Sequence, residues 1–507
     1  MKVAVATTSA LAADAAEEVA DAGGNAVDCA IAAAMLAMNT EPGVCALAGG
    51  AYVTISVPGS ETVTIDGNVA IPGIGLPPGH THSGGQSVFM EYGGGITTVT
   101  GPESIGVPGS LAAVDLAARE YGSVPWKTLL QPTIRASRDG FSLSAACHYY
   151  LQYSGTPVFG GSSEGHSALH DDHGSLRPAG SSIIVPGLAD SLTAIAEEGS
   201  RVFYEGDIAQ RIARHVQDRN GLLTLDDLQS YRPIRRPSLM VDLAGWKIAS
   251  NPPPAVGGAV LAAMLLAFER SPVSSWTPNA LRQLVEVQQW ALSYRKKTLE
   301  PAIDLEAEAA VFLDLARSRQ MAMRWSSSST VHTSAVDESG TACAITASSG
   351  YGSGEMPPGT GLWLNNCLGE LELNRKGLDA APAGGRLPSN MAPSVARRGD
   401  QVLAAGSPGA DRITTALLQF FINYTQLGLS LEKAIAHPRL HFDYADDNPI
   451  VAVEPGLDLP ELSLPLRSFA ETGMYFGGVG AALFDARTGF DVAADPRRAG
   501  GILISSG

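Results

Sequence analysis

Apolar and polar positions alternate along this chain in two rhythms, and each change of rhythm marks an element. Ala10–Ala22 repeats apolar residues at helical spacing and stops at Gly23-Gly24, a pair suited to a helix C-terminus. Asn25–Met38 follows as a second helix, apolar on nearly every side and therefore buried on most of them. From Gly49 to Val57 the pattern becomes strict alternation, a strand, with Glu61–Ile65 as its hairpin partner. Pro108 to Leu228 is mostly helical, broken by a Gly-, Ser- and His-rich stretch, 155–180, that reads as a loop. After the polar, basic segment Asp226–Pro237, Leu239–Ser250 has strand character. Pro252-Pro253-Pro254 and Gly257-Gly258 end it and open an apolar helix, Ala259–Phe268.

A second hairpin carries more information. Thr330–Val336 and Thr341–Ser349 alternate around Glu338-Ser339-Gly340, a three-residue connection with glycine at the left-handed position. This loop pairs Asp337 with Thr341 and hence Thr330 with Ser348. One face then holds Thr330, His332, Ser334, Val336, Ala342, Ala344, Thr346 and Ser348, with its hydroxyls gathered at the Thr330 end. The other face, Val331, Thr333, Ala335, Cys343, Ile345 and Ala347, is a core face; a slip of one residue would scatter both sets. Directly before Thr330 stand four serines, Ser326–Ser329, which as a lone run read as a flexible linker.

Composition narrows the function classes. Of 507 residues 45% are apolar and only 17% charged, so a large filled core is expected and disorder or a coiled coil is excluded. Fifty-six glycines and 32 prolines require many turns. The net charge of −17 argues against nucleic acid and against an anionic membrane surface as partners. The five cysteines, Cys29, Cys45, Cys147, Cys343 and Cys367, are odd in number, scattered and apolar in setting, which suits buried reduced thiols and neither a metal site nor a cofactor. No apolar run reaches 18 residues. The opening MKVAVATTSALAA has one lysine and a Thr-Thr-Ser break, so it reads as part of the fold rather than as a leader, and a cytoplasmic location is expected.

A threonine hydroxyl needs a base within hydrogen-bond reach to act as a nucleophile. If Thr330 became the first residue of a chain, its own α-amine, with a pKa near 8, would serve. That requires breaking the Ser329–Thr330 peptide, which an exposed small-residue linker permits. Threonine is also common at the start of a strand, and spacing by itself does not separate the two readings. Gly406–Arg412 joins a strand, Gln401–Ala405, to a helix, Ile413–Leu427, and such a turn presents backbone N–H groups to an oxyanion. Asn365–Glu370, a polar patch after a strand over Gly361–Leu364, is a candidate for binding substrate.

The segments GGNAVDCAIAAAM, TGPESIGVPGS, GSVPWKTLLQPTIRASRDGFSLS, FYEGDIA, PPPAVGGAVL, TVHTSAVDESGTACAIT, GTGLWLNN, LPSNMAPSV and GSPGADRI occur in this order from about Val3 to Arg439. As a set they resemble the γ-glutamyltranspeptidase family. The resemblance implies an α+β fold, a four-layer αββα sandwich of the N-terminal-nucleophile (Ntn) hydrolases. It implies a precursor that cuts itself into a large subunit, 1–329, and a small one, 330–507, forming a heterodimer or a dimer of heterodimers. By match to the family motifs, Thr330 is the nucleophile and Ser348 the second hydroxyl that hydrogen-bonds it. Gly409 and Ala410 stand where two glycines form the oxyanion hole.

The departures fall on the substrate side. Gly67 stands in place of the family's carboxylate-binding arginine, and Cys367 and Glu370 in place of its acceptor pair for the α-amino group. Ser389 and Asn390 replace a serine pair, and Gly350 an asparagine. Nothing short replaces a bidentate guanidinium, although Arg386 is a candidate to have moved in. The expected reaction is therefore amide cleavage through an acyl-enzyme, with a small-molecule donor other than a γ-glutamyl compound and water or an amine as acceptor. The family's divergent members, among them cephalosporin-type acylases, oxamate amidohydrolases and enzymes of 4-alkylproline pathways that hydrolyse a C–C bond, make an atypical role in secondary metabolism the alternative. An unprocessed, non-catalytic scaffold is another.

Overall fold

The computed structural model describes residues 1–77, 80, 85–92, 95–160, 163–318, 330–371, 373–374, 382–445, 448–498 and 500–506. Two antiparallel sheets organise it. Their strands in chain order are β1 (Val3–Thr7), β2 (Gly50–Ser56), β3 (Val63–Gly67), β4 (Ile234–Pro237), β5 (Leu239–Leu243), β6 (Trp246–Ser250) and β7 (Val331–Asp337). Then come β8 (Ala342–Ser348), β9 (Ser394–Arg398), β10 (Gln401–Gly406), β11 (Gly480–Asp485), β12 (Gly489–Ala494) and β13 (Gly501–Ile504). The first sheet has the order β13-β1-β7-β8-β2-β3-β4 and the second β12-β11-β10-β9-β6-β5. The opening residues thus supply an interior strand, paired with β13 on one side and β7 on the other.

The sheets face each other across small side chains, Ala4, Val336, Ala342 and Ala344 against Val395, Val402, Ala404 and Ala482. Alanine dominates because thin side chains allow two backbone layers to approach. The outer face of the first sheet, including Val331, Ala335, Cys343, Ile345 and Ala347, packs under the helix Ala26–Thr40. The outer face of the second packs under the helices Val256–Arg270 and Arg412–Phe421. Both faces of β7 and β8 are consequently buried, the hydroxyl-bearing one as fully as the apolar one.

The hairpin register is the one the loop dictates, Val331 opposite Ala347 through Val336 opposite Ala342. Asp337 closes it: one carboxylate oxygen accepts from the Ser339 and Thr341 N–H groups (3.0 and 3.1 Å), and the other accepts from the Ala26 N–H at 3.1 Å. The same side chain therefore caps the buried helix, whose N-cap Asn25 forms a capping box with Asp28. Three expectations need correction. Leu239–Ser250 is two strands folded over Ala244-Gly245, both at positive φ (48° and 80°), a primed turn concealed by an alanine where Asn or Asp is usual. The stretch 155–180 contains a helix, Ser163–Leu169. Gly361–Leu364 is not a strand; only Leu364 makes an isolated bridge, to Ala48.

Candidate active site

Continuing the hairpin register one step sets Thr330 across from Ser348. Both line one small cavity, with Asn68, Cys367, Glu370, Ser389 and Asn390. Thr330 is buried. The Gly350 N–H donates to the Ser348 hydroxyl (3.2 Å), and Gly350 itself has φ +65°. A Cβ there would lie 2.3 Å from Asn366 Oδ1 and 3.1 Å from the Glu370 carboxyl carbon, so glycine is what lets those groups close over the hairpin end. Burial, and after it the Glu370 carboxylate, push the Cys367 thiol well above its usual range, leaving a neutral S–H beside an acid. Of the residues singled out in the sequence, five (Ser348, Cys367, Glu370, Ser389 and Asn390) share this cavity with Thr330. Ser329 lies outside the described residues.

Gly67 does not reach the cavity. A Cβ on it would stand 2.4 Å from Ala113 Cβ and 2.6 Å from the Gly109 carbonyl oxygen, so the position is filled by the start of the helix Ser110–Tyr121. Its neighbour Asn68 lines the cavity instead, with its amide donating to the Leu387 carbonyl (2.8 Å) and its own carbonyl accepting from the Tyr231 hydroxyl (2.7 Å). Arg386 is committed elsewhere: it lies over the Tyr231 ring (4.3 Å), donates to the Arg232 carbonyl (2.5 Å) and stands 3.5 Å from Asp66. The cavity measures only about 20 Å³. A single water needs roughly 10–15 Å³, so this space takes one water and no amino acid.

Gly409 and Ala410 form the turn between β10 and the helix Arg412–Phe421, with φ +121° and +66°. Backbone N–H groups in such a strand-to-helix turn can meet an anion. For alanine the left-handed conformation costs about 1–2 kcal/mol. A buried polar chain, absent from any reading of the sequence, holds the turn. Asp411 accepts from Arg295 (2.7 Å) and from the Asn390 amide (2.6 Å), and Arg295 also pairs with Glu300 (2.6 Å). This chain links the turn to the small cavity through Asn390.

His332, on the hydroxyl face, lies between the sheets. Its ring nitrogens bond Thr346 (2.8 Å) and Ser334 (2.7 Å), and burial lowers its pKa to about 3, so it is a neutral structural group. Gly406 makes room for the ring, since a Cβ there would fall 2.1 Å from it.

Gly409 and Ala410 also line a second, larger pocket of about 380 Å³, together with Tyr92, Tyr149, Tyr351, Arg412, Tyr475 and Arg498 among others. The two spaces are neighbours along the chain: Ser348 lines the small cavity and Tyr351 the larger pocket. Among the described residues no helix is long and apolar enough to cross a membrane.

A threonine that opens a strand and shares a cavity with a second hydroxyl, in a fold of face-to-face sheets, is an arrangement suited to acyl transfer. The fold is shared with the cephalosporin acylase from Bacillus halodurans, with a TM-score of 0.82 at 23% identity over 100% of this chain and 96% of that one. The chain belongs to the gamma-glutamyltranspeptidase family, whose model matches residues 12–505. It is 28% identical over 498 residues to a glutathione hydrolase proenzyme of Escherichia coli K12, spanning 91% of this chain and 84% of that protein. With glutathione hydrolase 5 proenzyme of Rattus norvegicus it shares 29% over 476 residues, 87% and 81% of the two chains. The gamma-glutamyltranspeptidase of Pseudomonas nitroreducens complexed with L-DON aligns with a TM-score of 0.52 at 25% identity, over 61% of this chain and 90% of that one.

Proposed function

We propose that this protein is a self-processing Ntn hydrolase of four-layer αββα architecture that cleaves an amide bond through an acyl-enzyme and does not use a γ-glutamyl donor. The observation that carries the proposal is the shared cavity of Thr330 and Ser348 at the open end of the β7–β8 hairpin, in a chain of this family. In processing, the Thr330 hydroxyl oxygen attacks the carbonyl of residue 329, the peptide bond becomes an ester, and water hydrolyses it. The freed α-amine of Thr330 is then the base for turnover. It takes the hydroxyl proton as the oxygen attacks the donor carbonyl, and the leaving amine departs with that proton. Water or an acceptor amine resolves the acyl ester and restores the hydroxyl.

Ser348 orients and polarises Thr330 in this scheme, and the N–H groups of the Gly409–Ala410 turn receive the tetrahedral oxyanion. Against a γ-glutamyl donor stand the filled space at Gly67 and the commitment of Arg386. A free α-carboxylate placed there would be a buried charge without a partner, costing several kcal/mol. Intact-mass analysis of purified protein tests the proposal. Two fragments are expected, the smaller of 178 residues beginning at Thr330. Thr330→Ala should stay a single chain and lose turnover. Active wild-type protein with Met1 as its sole N-terminus would refute the scheme, and an uncut, inactive wild type would leave a scaffold.

A further inference from the structure

The pocket that Gly409 and Ala410 line, at about 380 Å³, is large enough for an organic substrate, and its walls specify a class of ligand. One wall is aromatic and belongs to the N-terminal half, Tyr92 and Tyr149, whose ring centroids are 6.3 Å apart. A second aromatic pair, Phe469 stacked on Tyr475 at 4.9 Å, also lines it. Flat apolar faces favour a flat apolar guest.

Three guanidinium groups border the same pocket, and two are already neutralised. Arg412 pairs with Asp443 (3.1 Å) and lies over the Tyr475 ring (4.1 Å). Arg497 is enclosed by Glu454 and Asp495. Arg498 differs. Unlike the other two, its side chain makes no ion pair among the described residues, and its buried Nε has no hydrogen-bond partner. Glu41, an acid whose titration Arg498 influences, spends its carboxylate on the Thr8 hydroxyl (2.7 Å). The stem of Arg498 is packed nonetheless. It lies against Gly478, where a Cβ would come within 2.4 Å of its Cδ and 2.9 Å of its Nε. A partly buried guanidinium packed along its stem, with donors left over, is prepared for an anionic acceptor supplied from outside.

We propose that this pocket binds the aromatic carboxylate portion of the substrate, with the ring against the Tyr92–Tyr149 and Phe469–Tyr475 pairs and the carboxylate on Arg498. The inference rests on the acyl-transfer reading above, since it gives the substrate of that reaction a carboxylate remote from the scissile bond.

Binding tests it without requiring turnover. The probes are 3-phenylpropionate and its neutral isostere 3-phenylpropionamide, titrated calorimetrically into wild type, Arg498→Gln and Tyr149→Ala. Wild type should prefer the acid at least tenfold. Arg498→Gln should abolish that preference while binding the amide as wild type does, and Tyr149→Ala should weaken both probes several-fold. Equal binding of acid and amide by wild type would overturn the assignment, whether or not the variant folds. So would an undiminished preference in Arg498→Gln. The same titration on Thr330→Ala separates the two proposals. Retained acid preference in a wild type that neither processes nor turns over refutes only the catalytic scheme, whereas processing without the preference refutes only this one.

Discussion

Restoring the family's arginine at position 67 should fail, for reasons of space before chemistry. Gly67 ends β3, and the volume a side chain would need is held by Ala113 Cβ at 2.4 Å and the Gly109 carbonyl oxygen at 2.6 Å from the Cβ position. Carbon atoms in contact sit at about 3.5–4.0 Å, so even a methyl must displace the start of the helix Ser110–Tyr121 by an ångström or more. Overpacking of this kind costs about 1–3 kcal/mol. An arginine adds a buried guanidinium with nothing to pair it, several kcal/mol more, against a total stability of about 5–15 kcal/mol for a typical domain. Urea unfolding followed by circular dichroism, with a γ-glutamyl anilide assay alongside, checks both parts. Gly67→Ala should lose about 1–3 kcal/mol. Gly67→Arg should lose more, or fail to accumulate, and should gain no γ-glutamyl turnover. An arginine variant with the wild-type unfolding midpoint and a tenfold rise in that turnover would refute the reasoning.

In the proposed scheme Ser348 hydrogen-bonds the nucleophile; losing such a bond costs about 0.5–1.5 kcal/mol, so Ser348→Ala should slow turnover roughly tenfold with processing retained. Loss as complete as that of Thr330→Ala, in processed protein, would mean Ser348 does more than orient. Glu41 is buried, and desolvation raises its pKa from 4.5 to about 6 despite the Thr8 hydroxyl and the Arg498 charge. The folded state therefore holds the Glu41 proton more tightly than the unfolded state does. The stability this contributes is present below pH 4.5 and lost as the pH rises to about 6, some 2 kcal/mol in all. Glu41→Gln should flatten that part of the stability–pH curve measured by urea unfolding between pH 4 and 7, and an unchanged curve would contradict the burial argument.

The hairpin was legible because it is local. A three-residue loop with Gly340 fixes the register, and period two fixes the faces, so Thr330 and Ser348 follow from counting. The buried helix 26–40 was legible for the same reason, from its continuous apolar run. What escaped was non-local. Asp337 looked like a turn residue, and nothing in the sequence tells that its second oxygen caps a helix 311 residues away. The Arg295–Asp411–Asn390 chain joins three segments far apart in sequence, and no local pattern ties them together. Matching motifs placed Gly67 in the substrate site, but a strand end points one residue to the core and the next to the cavity, and Asn68 is the residue that arrives there. The aromatic pocket draws on residues from Tyr92 to Arg498, with no motif to mark them.

The order of strands has a consequence for how such a protein must be made. β1, from the first residues, is threaded between β13 and β7, both from the far side of Thr330, while β2, β3 and β4 complete the sheet beyond β8. The second sheet is mixed in the same way, with β5 and β6 joined to strands that follow Thr330. Neither portion owns a whole sheet. A break before Thr330 would sever one covalent link and leave every ladder intact, so the pieces would be held like interlocked fingers and could part only by unfolding together. Assembly must then come before cutting. Residues 330–507 synthesised alone would lack the strand between β13 and β7 and would present unpaired edges to one another, a recipe for aggregation rather than for a half-enzyme awaiting its mate.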